Sequence, residues 1–266
     1  MSISTTLIDG ADIRFQEAAV ALRRYVGCFW VLTAEPGATI RVVPDGTTAI
    51  SIERQKTGYS EWFLRGPLLR PAERRFTAPT TLIGVRLRPG VAFMLSGIPA
   101  QSIVNRRISL SRCASFHDLV SIDVSEHTPS QCIETLQDFL INRLENSNVD
   151  SIVATALAEI DGEHGSQRVS DIAARCGVSA RHLNRLMRQW VGFGPKRYAG
   201  VVRFQATLME MEQAPEQSVA LLASGSGYFD QAHLTVDVGR FAGATPGSLM
   251  SDDMSDFSKT RCDDLL

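Results

Sequence analysis

The chain has 266 residues, 44% of them hydrophobic and 21% charged, with a formal net charge of −2. That is the balance of a globular protein long enough for two cores. Nothing approaches the ~20 uninterrupted apolar residues that cross a bilayer, and the opening MSISTTLIDGADIRF has no signal-peptide pattern. A cytoplasmic protein with no membrane partner is therefore expected.

Along the chain, ADIRFQEAAVALRRYV (11–26) reads as a short amphipathic helix with Phe15, Ala18, Ala19 and Leu22 on one side. From Gly27 to about Arg88 the texture becomes β-branched and aromatic, cut by turn residues, as in CFWVLTAEPG, TTAISIER and TTLIGVRLRPG. Val85 and Leu87 alternate with Arg86 and Arg88 before Pro89-Gly90, the mark of half-buried antiparallel strands. Several such strands suggest a compact barrel or sandwich. Trp30, Trp62, Phe63 and Phe76 are expected in its core. Arg86 and Arg88 are most simply an exposed face, although an anionic ligand could use them.

Beyond Ala92 the pattern turns helical. Ile133, Leu136, Leu140 and Leu144 share one stripe of 131–144, and Asn146-Ser147-Asn148 then reads as a linker. A barrel that binds a catalytic metal needs clustered histidine and acidic ligands, and Gly27 to Ala92 contains no histidine. No metal, cofactor or catalytic residue is expected, and hence no enzyme. Cys28, Cys113, Cys132, Cys176 and Cys262 form no CxxC pair and read as reduced thiols.

The even net charge hides a strong asymmetry. From Arg168 to Arg203 eight basic residues face one acid, Asp171; from Phe204 onward three basic residues face ten acids. The basic part contains VSDIAARCGVSARHLNRLMRQW. Val169, Ile172, Ala173 and Cys176 form an apolar face, Gly177 suits a turn, and Ser179 is a good N-cap. A two-faced helix follows over 179–190. Leu183, Leu186, Met187 and Trp190 form one track; Arg181, Asn184, Arg185 and Arg188 form the other, with no carboxylate among them. Helix, glycine turn, helix is the helix-turn-helix pattern, whose second helix enters the major groove. Arginine can grip guanine O6 and N7 with two hydrogen bonds, and asparagine can do the same to adenine. A charged helix face is also commonly plain solvated surface, so the missing carboxylates and the local basic excess carry the DNA reading.

The segment from VSDIAARCGVSARHLNRLMRQW through GFGPKRY and VVRFQATL resembles the first half of the DNA-binding domain of AraC-type transcriptional regulators. SVALLASGSGYFDQAHLTVDVGRFAGATPGSL resembles the second half, and VVPDG, FLRGP, GVRLRPGVAFMLSGIPA and ISLSR resemble the N-terminal domain of one subgroup. The resemblance implies an α+β protein of two domains. A β-rich, cupin-like sensing and dimerisation domain with a helical extension would span 1–146. An all-α domain with two helix-turn-helix units would span 151–250, followed by a flexible acidic tail over 251–266. It implies a sequence-specific regulator of transcription acting on double-stranded DNA, with RNA polymerase, a small-molecule effector and a second copy of the chain as further partners. The helix 131–144 is the expected dimer contact through Leu136, Leu140 and Leu144, unless that stripe packs on its own barrel.

The family's base-reading positions fall on Arg181, Asn184 and Arg185. Arg188, Lys196 and Arg197 are expected at the DNA backbone, and Ser179 caps its helix or joins them. On the second unit the corresponding face is Ala232, Thr235, Val236 and Gly239, where the family commonly offers polar side chains. Gln231, His233 and Arg240 are the remaining polar candidates for backbone contact. Val238 stands where the family usually has a core phenylalanine. The second unit then either supports the first or, through its acidic surroundings, binds a protein. An adaptor that kept the fold but lost DNA binding is the alternative function.

Overall fold

A computed structural model describes residues 6–145, 147–214 and 216–251. Its N-terminal part holds seven strands: β1 (Thr6–Glu17), β2 (Val26–Val42), β3 (Thr48–Gln55), β4 (Ser60–Arg65), β5 (Ala72–Arg75), β6 (Thr80–Leu87) and β7 (Arg107–Ser109). They make one antiparallel sheet in the order β1-β2-β6-β3-β4-β7, with β5 added along the far end of β2. The sheet curls but does not close, so the expected barrel is an open one. Helix α1 (Val91–Ser96) lies between β6 and β7, and α2 (His117–Val120) and α3 (Pro129–Leu144) follow β7. One core joins Phe29, Ile50, Ile52 and Ile83 of the strands to Phe116, Leu136 and Leu140.

The structure departs from the sequence reading in five places. The stretch 11–26 is strand over 11–17 and helical only in a single turn at Val20–Leu22, because Ala11, Ile13 and Phe15 are half-buried while Asp12, Arg14 and Gln16 are exposed. That period of two, matched by seven residue pairs with β2 from Ala11 to Glu17, overrides the helical spacing of Phe15, Ala18 and Leu22. The leucine stripe of α3 packs on its own sheet: Leu136, Leu140 and Leu144 are at most 1% exposed, which removes it as a dimer contact. Arg86 is buried, because the face opposite Val85 and Leu87 turns inward rather than to solvent; Arg88 is exposed as expected. Trp62 and Phe76 are core, whereas Trp30 and Phe63 are half-buried on that inner face. Cys113, Cys132 and Cys176 are free thiols, but Cys28 is disulfide-bonded, against the expectation for it.

The rest is helical: α4 (Ser151–Gly162), α5 (Val169–Arg175), α6 (Ala180–Val191), α7 (Pro195–Gln213), α8 (Val219–Gly225), α9 (Gln231–Ala242) and α10 (Pro246–Ser251). One core gathers Val153, Ile160, Ile172, Leu183, Met187 and Tyr198; another gathers Phe204, Leu208, Leu222, Leu234, Val238 and Phe241. The long helix α7 contributes to both. Of the expected acidic tail only Ser251 falls among the described residues.

The sheet and the helices are joined by a seam that the turn-like VVPDG motif supplies. Residues 43–47 are all buried. Val43 enters the core of Phe204 and Leu208, and Gln205 Nε2 donates to Pro44 O at 2.6 Å. Gly46 has φ +78°, and a Cβ there would lie 2.8 Å from the Tyr198 ring, so both conformation and space require glycine. At the other end Trp190 packs edge-on against Phe93, with centroids 4.8 Å apart.

Candidate nucleic-acid interface

The helices α5 and α6 are built as their sequence indicates. Ile172 and Ala173 are buried, the chain reverses through Gly177 at φ +67°, and the Ser179 hydroxyl accepts from His182 N at 3.2 Å. That bond satisfies one of the open N–H groups at the start of α6, which assigns Ser179 a capping role. Leu183, Leu186, Met187 and Val191 fix the inner face of α6 in the core. Arg181, Arg185 and Arg188 are left exposed on the outer face. None of them has an ion-pair partner among the described residues.

Asn184 departs from this picture in part. It is half-buried, and its Oδ1 lies where a Cβ on Gly194 would come within 2.0 Å. Its amide therefore sits at the edge of the outer face of α6, beside the turn into α7.

That turn leads to a basic groove between the two helix-turn-helix units, about 760 Å³ in volume. Arg188, Lys196, Arg197, Arg203 and Arg240 line it with His233, against a single acid, Asp237. Lys196 and Arg197 are exposed in the first turn of α7, whose Gly194 N-cap has no side chain to cap the helix. Open N–H groups and a helix dipole there favour an anion. Five of the residues expected at the DNA backbone thus line one groove; Ser179, which caps α6, and Gln231, exposed at the start of α9, lie outside it.

Asp237 is not a repelling surface acid. It is buried, 3.5 Å from Arg203, 3.5 Å from Arg240 and 3.8 Å from His233. Arg203 also donates to Gly165 O at 2.9 Å and lies over the Tyr228 ring. Burial pushes the Tyr228 hydroxyl up to about 12, so it stays protonated in this cluster. This Arg203–Asp237 tie between α7 and α9 was not visible in the sequence, where Asp237 counted only toward the acidic excess.

On α9, Ala232, Thr235, Val236 and Gly239 are all exposed on one face. Thr235 Oγ1 donates back to Gln231 O at 2.8 Å, so even the one hydroxyl of that face is engaged by its own helix. Val238 is fully buried in the second core. Asp230 caps the helix by accepting from His233 N at 2.7 Å.

Among the described residues no cluster of His, Cys, Asp and Glu could hold a metal ion, and no helix is long and apolar enough to cross a membrane. Residues 172–251 match a family model described as a helix-turn-helix domain, and residues 16–109 match one described as a domain of unknown function (DUF6597). No curated protein matches the chain. Among solved structures, ToxT from Vibrio cholerae is similar over 94% of this chain and 98% of its own, at 10% identity and a TM-score of 0.39. ToxT from the O395 strain is similar over 93% and 96%, at 9% identity and a TM-score of 0.42.

Proposed function

From the premise that the C-terminal part of this chain is an AraC-type helix-turn-helix domain, we propose that the protein is a sequence-specific transcription regulator that reads DNA mainly with α6. The family is one of DNA-binding regulators, which is not an enzyme class. The observation that carries the finer reading is the contrast between the two outer faces. Arg181 and Arg185 are exposed and free of carboxylates on α6, whereas Ala232, Val236 and Gly239 on α9 have nothing to read with.

In this reading Arg181 and Arg185 take base edges in the major groove, with Asn184 reaching in from the rim. The DNA backbone runs along the groove between the units. There Arg188, Lys196, Arg197 and the start of α7 meet phosphates, and His233, Arg240 and Gln231 add weaker contacts from the second unit. Arg240 gives up part of its charge to Asp237, which makes it the weakest member. The N-terminal sheet, joined to α7 through residues 43–47, is the part that would respond to an effector. Action in the cytoplasm, alone or as a homodimer, and contact with RNA polymerase belong to the same proposal.

One observation favours a protein contact in addition. On the second unit Phe229 is 93% exposed, and Leu221 and Val236 are more than half exposed. An adaptor that no longer binds DNA would use that surface alone. Purified full-length protein mixed with fragmented genomic DNA and excess non-specific competitor separates the two readings. Retention of a reproducible subset of fragments is expected; loss of all fragments to the competitor would leave only the adaptor.

A further inference from the structure

The segment between β4 and β5, Gly66-Pro67-Leu68-Leu69-Arg70-Pro71, reaches from the sheet to both helix-turn-helix units. Its two prolines meet equivalent points on those units. A Cβ on Gly192, the left-handed C-cap of α6, would lie 2.7 Å from Pro67 Cγ. One on Gly243, the left-handed C-cap of α9, would lie 3.3 Å from Pro71 Cγ. Between the prolines Leu69 is half-buried and packs against both helical cores. A short piece of the N-terminal part thus bridges the ends of the two corresponding helices. The sequence also makes this piece stiff. Each proline fixes φ near −65° and offers no N–H. Leu69 N donates to Asn105 Oδ1 at 2.8 Å, and Asn105 N in turn donates to Pro67 O at 2.9 Å. Asn105 has φ +55°, a left-handed conformation that asparagine tolerates better than most residues.

Leu69 is also part of the wall of the basic groove, with Arg188 and Arg240 from the last turns of α6 and α9. Arg70 comes next, exposed, between a side chain in that wall and a proline on the C-cap of α9. Among the described residues its guanidinium has no ion pair and no hydrogen bond. Arg188, Lys196 and Arg197 likewise have no ion-pair partner there. Unpaired cations gathered at one groove repel one another until an anion lies among them. Arg240 shares its charge with Asp237 at 3.5 Å. Arg70, unlike it, brings an uncompensated charge to that end of the groove.

We propose that Arg70 is a DNA-backbone ligand, so that the N-terminal part itself grips a phosphate at the α9 end of the groove. The proposal rests on the reading of that groove as the path of the DNA backbone, and it adds the sheet domain to the contact surface. An arginine fork donates two parallel hydrogen bonds to one phosphate. A phosphate contact carries no sequence information, so Arg70 strengthens binding to every duplex and fixes the orientation of the protein on it. The two prolines hold the segment against the C-caps of α6 and α9. The phosphate held by Arg70 therefore keeps a fixed register with those held by Arg188 and Lys196.

The test is titration of the full chain with a specific and a scrambled duplex over a series of salt concentrations. Wild type is compared with Arg70→Ala, Arg70→Lys, Lys196→Ala and Arg14→Ala. Arg14 controls for net charge: it is exposed, paired with Asp12, and lies on β1, with β2, β6 and β3 between it and β4. Arg70→Ala should weaken both duplexes alike and lower the slope of log affinity against log salt by about 0.9, the share of one phosphate. Arg70→Lys should restore most of that slope, and Arg14→Ala should not move it. Replacing phosphates singly by uncharged methylphosphonates should reveal one position that matters to the wild type but not to Arg70→Ala, and a different one for Lys196→Ala. An unchanged slope in Arg70→Ala beside a lowered one in Lys196→Ala would overturn the proposal and leave the reading of the groove in place. A slope lowered as much by Arg70→Lys or by Arg14→Ala, or no phosphate that pairs with Arg70, would overturn it too. Wild-type protein that binds neither duplex, or binds without salt dependence, would overturn the reading of the groove and the proposal with it.

Discussion

Asp237 of α9 lies 3.5 Å from Arg203 of α7, with both side chains largely buried. It is the acid that ties the second helix-turn-helix unit to the helix shared by both. Removing one partner of a buried pair leaves the other charged and desolvated. Asp237→Ala should therefore destabilise the protein by about 3 kcal/mol in chemical denaturation. A change within about 0.5 kcal/mol, the range of ordinary surface substitutions, would show that the tie is incidental.

The two kinds of contact assigned to the basic face separate by salt and by sequence. Arg185→Ala should weaken specific binding by about 1–3 kcal/mol and relax preference at one or two base pairs. Arg188→Ala and Lys196→Ala should weaken binding to all duplexes alike and each lower the salt slope by about one unit. Titrations on specific and scrambled duplexes at several salt concentrations measure both effects. A uniform loss from Arg185→Ala would move it to the backbone set.

Thr235→Ala should leave DNA specificity unchanged, because its hydroxyl is bonded to Gln231 O and its neighbours carry no hydrogen-bonding groups. Competition between single-base variants of the bound site would reveal a lost preference if the residue reads a base.

Acid should loosen the sheet through Glu53. Burial by itself would push this carboxyl up, but hydrogen bonds from Arg74 and Arg107 and their charges hold it below the ordinary 4.5. A carboxyl depressed in the folded state stabilises fully above its unfolded value and loses that contribution as pH falls through the folded one. Stability should thus decline below about pH 4.5, and Glu53→Gln should be less stable at neutral pH with a flatter acid limb. Denaturation profiles across that window check it; parallel limbs would clear Glu53 of the effect.

The parts of the molecule that were legible in the sequence are those decided locally. Ser179, Gly177 and the apolar stripe through Leu183 and Met187 lie within a few residues of one another, and they specify α5, the turn and α6 directly. The inner face of the sheet was legible only by half. The alternation of Val85 and Leu87 with Arg86 placed those arginines on the other face correctly. Whether that face meets solvent or a cavity depends on how strands far apart in sequence curl together. Residues 11–26 fit two periods at once, and pairing with β2 decided between them. Nothing local announces that Val43 to Thr47 is buried, because it is α7, some 150 residues later, that covers it. Asn184 follows the helical track of the arginines but is drawn to the rim by Gly194, whose closeness no spacing announces.

In the proposed function one helix per chain, α6, reads bases. Its most direct test is recovery of the preferred site from a random duplex library by the full-length protein. One strong block of base preference is expected for each bound chain, flanked by positions of little preference on the side of the second unit. Two equally strong blocks about one helical turn apart within the footprint of a single chain would contradict it.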